Sequence, residues 1–235
     1  MHGVAEAKMP DNMAKPLYPK RICAAMIALI GWFALSVQFY FNVEEALAKN
    51  ESIIHRLVQF FSYFTIETNI LIAAAITIVA ARPQAEQYLT RPSVKSALVV
   101  YIMIVGLVYT ALLRNLWDPQ GMQLVADTVL HDVVPILYPL FWLVFLPKGS
   151  LRWADPAVWL IYPALFFVYS MLRGLAFGFY PYPFIDAGRL GFERVSLNAL
   201  ALLAVFFGLG VILTAIDHAL APDTRGSRLG RAAEL

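Results

Sequence analysis

The chain has 235 residues, of which 60% are hydrophobic and only 14% charged, against about 25% charged in an average soluble domain. That balance excludes a water-soluble fold, and a formal charge of +2 gives no footing for nucleic acid as a partner. The single cysteine, Cys23, excludes an intrachain disulfide and any cysteine-rich metal or iron–sulfur centre.

Six apolar stretches follow in order, at 22–41, 57–81, 97–113, 128–146, 157–178 and 195–216. Each is close to the ~20 residues that cross a bilayer core. The predicted fold class is therefore all-α, a polytopic six-helix transmembrane bundle over 22–216 with tails at 1–21 and 217–235. The first stretch follows Lys20-Arg21 but is too long for a signal-peptide core and ends in Phe39-Tyr40-Phe41-Asn42 without small residues for cleavage, so it is read as a retained span. Tyr18, Trp117, Trp153 and Tyr180 fall at predicted span ends, where amphipathic rings favour the interface. Pro83, Pro92, Pro119, Pro147 and Pro156 punctuate connections, whereas Pro135, Pro139 and Pro163 lie inside spans and each leave a carbonyl four residues earlier without its donor. For Pro135 that carbonyl belongs to His131.

Lys8, Lys15, Lys20, Arg21, Arg82, Arg91, Lys95, Lys148, Arg152, Arg225, Arg228 and Arg231 fall on one side, twelve against the six of Lys49, Arg56, Arg114, Arg173, Arg189 and Arg194. Positive-inside bias then puts both termini in the cytoplasm, with a bacterial inner membrane the expected location and the basic tail beside lipid headgroups.

An ionisable residue at mid-bilayer costs about 2.5–3.5 kcal/mol on insertion scales, so the few polar residues inside spans carry the information. Helix two holds Ser62, Thr65, Glu67, Thr68 and Asn69; helix four holds Asp127, Thr128, His131 and Asp132; Arg114, Asn115, Arg173, Arg194 and Asn198 stand at span ends. With the termini inside, all lie in the outer half, which predicts a polar pocket opening outward. Helical spacing aligns Ser62, Thr65 and Asn69 and turns Glu67 some 200° from Thr65. Asp127 precedes His131 by four, so its carboxylate can hold one ring nitrogen and leave the other as a base. Asp132 faces Thr128, and Arg173 has Glu67, Asp132 or a substrate carboxylate as candidate partners.

Of four histidines, His2, His55 and His218 lie in the tail, a loop and an inner end, so no metal centre is expected. No nucleophile elbow, phosphate loop or dinucleotide fingerprint occurs, and no cofactor is implied. A hydroxyl and an imidazole remain, the minimal pair for nucleophilic acyl transfer. Thr65 with His131 is the candidate pair, with Ser62 and Thr68 as alternative hydroxyls.

Phe61-Ser62-Tyr63-Phe64-Thr65 with Asn69, Leu130-His131 with Pro135, and Tyr182-Pro183-Phe184-Ile185 before Gly188 resemble, in that order, the androgen-induced protein family. The resemblance runs from helix two to the start of helix six. It implies a six-helix membrane hydrolase that cleaves fatty acid esters of hydroxy fatty acids with a threonine and a histidine, here Thr65 and His131, and it makes this chain similar to the family's bacterial six-span relatives. The implied partner is a membrane lipid or lipid-like ester.

Plainer roles compete for each residue. Thr65 can bond the carbonyl one turn back, His131 can be a buried imidazole held by Asp127, and Asp127 can cap its helix. Glu67 and Arg173 can form an ion pair, Asn69 can cross-link helices rather than serve an oxyanion, and Phe179–Ile185 can be an interfacial belt rather than a lid. Proton-coupled transport, a channel or a non-catalytic assembly role would use the same buried groups.

Overall fold

The computed structural model describes residues 17–82 and 88–222. His2, Lys8, Lys15, Pro83, Arg225, Arg228 and Arg231, used above for the metal-centre, charge-bias and chain-punctuation readings, lie outside the described residues. Among the described residues the chain is helical, without strands, and six helices are long and apolar enough to cross a membrane.

These are α1 (Leu17–Ala48), α3 (Phe64–Ala81), α4 (Pro92–Val108) with its extension to Leu116, α5 and α6 (Gly121–Thr128 and Val134–Phe145) joined end to end, α7 and α8 (Asp155–Trp159 and Ile161–Phe177), and α9 (Ala187–Ala219). A short α2 (Ile53–Phe60) precedes α3. The helices outrun the apolar stretches because polar end residues keep helical backbone once they reach the interface. Expected tail boundaries shift accordingly. α1 begins at Leu17, and Asp217, assigned to the tail, is 1% exposed, accepting N–H bonds from Gly149 at 2.9 Å and Leu151 at 3.0 Å.

Helix two is not continuous. Phe61–Tyr63 form a turn between α2, capped by Ser52, and α3, so Ser62 does not share a helix face with Thr65 and Asn69. The core runs through α3, α4 and α6, where Ile72, Ile76, Val99, Val100, Ile102 and Tyr138 are buried. Leu29, Leu165, Leu172 and Leu200 on the outward faces are more than half exposed, the pattern of helices solvated by hydrocarbon.

Several indole groups bond to hydroxyls on neighbouring helices. Trp142 Nε1 donates to Ser96 Oγ at 2.7 Å, Trp159 Nε1 to Ser93 Oγ at 3.0 Å and Trp32 Nε1 to Thr77 Oγ1 at 3.1 Å. Pro163 offers no N–H to the Trp159 carbonyl, and the Tyr101 hydroxyl fills that role from α4 at 2.7 Å. In α9, Gly191 adopts φ 77°, ψ 157°, a conformation open essentially to glycine alone, and breaks the helix before its apolar run.

Two π-turns interrupt the helices at one end of the bundle. Tyr109–Leu113 continues α4 and Val129–Val133 joins α5 to α6. In each, an N–H reaches the carbonyl five residues back, Arg114 to Tyr109 and Val134 to Val129. The second ends just before Pro135, so the backbone widens where the proline cannot donate to His131.

Candidate functional site

His131 sits in the middle of the second π-turn. Its Nδ1 lies 3.0 Å from both the backbone carbonyl and the Oδ1 of Asp127; the carbonyl contact has hydrogen-bond geometry. The ring stacks on Tyr109 of the first π-turn, centroids 3.8 Å apart and planes 16° apart. Tyr109 in turn donates its hydroxyl to Asp127 Oδ2, and the Arg114 guanidinium lies over its ring, 5.0 Å from the centroid. The imidazole is thus fixed by a carbonyl, a carboxylate and a ring, while Nε2 bonds to nothing among the described residues.

The π-turn is held close to α4 by Gly106. A Cβ there would lie 3.0 Å from Pro135 Cβ and 3.2 Å from the His131 carbonyl oxygen, so glycine permits the approach.

Thr65 stands in the first turn of α3 and is 8% exposed. Its backbone N–H, one of the donors a helix start leaves unpaired, points to the Tyr182 hydroxyl at 3.3 Å. Burial pushes the Tyr182 phenol up to about 12, against the lowering effect of its hydrogen bonds with Thr65. Tyr182 therefore remains a proton donor at neutral pH.

Two spaces meet at Thr65. One is a polar chamber of about 350 Å³, bordered by His131, Tyr109, Trp117, Arg56 and α1 side chains. The other is a narrower apolar cleft of about 80 Å³ between α4, α8 and α9, walled by residues such as Val105, Phe166, Leu203 and Phe206. Thr65, Leu113 and Tyr182 border both. Thr65 and His131 face the same chamber without a direct hydrogen bond between them among the described residues.

The remaining expected residues divide. Asn69, 1% exposed, donates to the Thr65 carbonyl at 2.9 Å and the Leu130 carbonyl at 3.3 Å, tying α3 to the π-turn; its Oδ1 has no partner among the described residues. It cross-links helices, the plainer of its two expected roles. Thr68 is fully buried and its Oγ1 is away from both spaces. Glu67 is turned from Thr65 as the helical spacing requires, and accepts from Tyr162 of α8 at 2.8 Å.

Three expectations are corrected. Arg173 pairs with neither Glu67 nor Asp132. It donates to the Val58 carbonyl at 2.9 Å and to Ser62 Oγ, and lies 4.5 Å over the Phe179 ring. The break between α2 and α3 frees carbonyls that attract the cation. Asp132, expected toward Thr128, binds Arg114 from within the π-turn, where the angular step differs from that of a regular helix. Ser62 is not an alternative nucleophile facing the chamber, since its hydroxyl donates to the Val58 carbonyl at 2.5 Å, meets Tyr169 Oη at 2.8 Å and accepts from Arg173.

Tyr109 escaped the sequence reading as a site residue because an aromatic in an apolar run reads as core, whereas Tyr182 stood there only within the Phe179–Ile185 loop, as belt or lid, without a role at Thr65. Gln38 and Asn42, which also border the chamber, did carry a signal: amides four apart at the end of an apolar span obey the same cost argument that singled out helix two. The loop before α9 contributes on both sides. Pro181, Tyr182 and Pro183 border the chamber, Tyr182, Phe184 and Ile185 the cleft, and Asn198 Nδ2 holds the Phe184 carbonyl at 2.8 Å. No family model, curated protein or solved structure matches the chain.

Proposed function

We propose that this chain is a multi-pass protein of a bacterial inner membrane, with cytoplasmic termini, that hydrolyses long-chain fatty esters in the outer half of the bilayer. The observation that carries this reading is the position of Thr65 where an apolar cleft meets a polar chamber that also holds His131. A hydroxyl at such a junction meets a carbonyl whose acyl chain lies in the cleft and whose alcohol lies in the chamber. The resemblance to the androgen-induced family names the same two residues.

In the proposed reaction His131 Nε2 removes the Thr65 hydroxyl proton and the Thr65 oxygen attacks the ester carbonyl. The Tyr182 hydroxyl and the backbone N–H groups at the start of α3 donate to the developing oxyanion. The imidazolium returns its proton to the departing alkoxide, giving a Thr65 acyl-enzyme. His131 then activates water, which releases the fatty acid and restores the threonine. Asp127 and Tyr109 act through His131, holding its ring and favouring a proton on Nδ1 so that Nε2 is the base. The separation of the two groups fits catalytic contacts that close only around substrate.

Purified protein in detergent, given long-chain ester substrates and a fluorophosphonate probe, tests the reading. The expected result is turnover and covalent labelling, both lost in Thr65→Ala and His131→Ala and retained in Thr68→Ala. Absence of both signals in protein that elutes monodisperse would leave transport or assembly as the function.

A further inference from the structure

The apolar cleft accounts for an acyl chain, but the chamber on the other side of Thr65 has its own chemistry. We infer that it binds an uncharged, hydroxyl-bearing headgroup, so that the substrate is a long-chain ester of a polyol rather than an ester joining two fatty chains. This rests on the Thr65–His131 reading above.

Gln38 and Asn42 stand one turn apart on α1 and border the chamber. Gln38 Oε1 and Asn42 Oδ1 are both shielded and hydrogen-bond to nothing among the described residues. An amide left unpaired away from bulk water is costly, so two adjacent ones on a cavity wall mark groups kept for a ligand. A half-turn of either amide exchanges its donor and acceptor ends. A hydroxyl, which both donates and accepts, satisfies either orientation; a methyl ester or second alkyl chain satisfies neither.

Glu45 and Arg56, which border the chamber, rule against an ionic head because both are already engaged. Arg56 bridges Glu45 at 2.7 Å and Glu51 at 2.8 Å, and Lys49 also holds Glu45, at 2.6 Å. Two cations balance two carboxylates. A free carboxylate or phosphate would have to displace a glutamate from Arg56, and a quaternary ammonium finds no uncompensated carboxylate among the described residues that border the chamber. About 350 Å³ lies within the size range of small-molecule sites and admits a glycerol-sized or larger head.

The site is tested apart from catalysis in the His131→Ala protein, with 1-O-hexadecylglycerol, an ether that cannot be hydrolysed. Affinities come from ligand-dependent melting shifts in detergent. The alkylglycerol should bind at least about tenfold tighter than 1-methoxyhexadecane, palmitate or hexadecyltrimethylammonium, the worth of two modest hydrogen bonds. Adding Gln38→Leu and Asn42→Leu should bring it to parity with the methoxy compound. Without ligand, the melting temperature should hold or rise, because the amides removed bond to nothing among the described residues.

In the otherwise wild-type protein, monopalmitoylglycerol should be cleaved with a kcat/KM at least about tenfold above that for palmitoyl hydroxystearate, an advantage the double leucine variant loses. Parity of alkylglycerol and methoxy compound, or preference for palmitate or the ammonium ligand, overturns the headgroup inference. Selective alkylglycerol binding without cleavage of any ester overturns the hydrolase reading and leaves the headgroup site standing.

Discussion

Gly106→Ala adds one methyl group at the closest approach between α4 and the π-turn that carries His131. The new Cβ would lie 3.0 Å from Pro135 Cβ and 3.2 Å from the His131 carbonyl oxygen. Ordinary carbon contacts lie at about 3.5–4.0 Å, so the two backbones must separate by roughly 0.5–1 Å. No rotamer change relieves the clash, because one neighbour is a proline ring and the other a backbone carbonyl. Overpacking of this kind costs about 1–3 kcal/mol, set against up to about 1 kcal/mol gained in helix propensity. A net loss of about 0–3 kcal/mol should lower the melting temperature in detergent by up to about 10 °C, at about 2–4 °C per kcal/mol for a chain of this length. The same displacement moves the imidazole relative to Thr65, and a 1 Å error in such a pair can reduce turnover by up to about 100-fold. Gly208→Ala is the matched control, since its Cβ meets nothing within 4 Å, and it should melt at or above the parent temperature with unchanged turnover. A Gly106→Ala protein that melts as high as Gly208→Ala and keeps its turnover would refute the claim that this contact positions His131.

Tyr182→Phe removes the proposed oxyanion donor and should lower kcat by about 100- to 1,000-fold with little change in KM, read in steady-state ester hydrolysis. With the phenol held up to about 12, the group stays a donor at every pH below that value, so the wild-type rate should show no falling limb from Tyr182 below pH 10. Ser62→Ala strips the buried Arg173 of one oxygen acceptor and should destabilise by about 1–3 kcal/mol while turnover per folded molecule holds, measured by melting and by active-site titration. Tyr101→Phe leaves the Trp159 carbonyl without the donor that Pro163 cannot supply, and a loss of about 1–3 kcal/mol should appear as a lower melting temperature.

The six long apolar helices were legible because a bilayer imposes one length and one polarity on every span, and 60% hydrophobic residues leave little else to build. The break at Phe61–Tyr63 was not legible, since Phe61-Ser62-Tyr63-Phe64 is as compatible with helix as with a turn. What selects the turn is tertiary: Ser62 and the freed Val58 carbonyl are both claimed by Arg173 from α8, 111 or more residues away. The same remoteness defeated the expected Arg173–Glu67 pair. Charge sign gives a list of candidate partners, but Arg173 meets a helix end first, and Glu67 on the far face of α3 finds a tyrosine.

The proline-freed carbonyls connect these local results to the chemistry. Pro163 and Pro135 each remove one donor, yet the outcomes differ. At Trp159 a tyrosine from α4 restores the bond and the bundle closes; at His131 the helix instead widens into a π-turn, with α4 drawn close by a glycine. The widened turn sets Asp127, which a regular helix would also have put near His131, so that its main-chain carbonyl rather than its carboxylate holds Nδ1 in good geometry. The carboxylate is left to Tyr109, whose ring then braces the imidazole. A residue type and a spacing predicted the partner correctly, and the backbone irregularity decided which atom of that partner does the holding. In the proposed reaction, that choice leaves Nε2 as the ring nitrogen for Thr65.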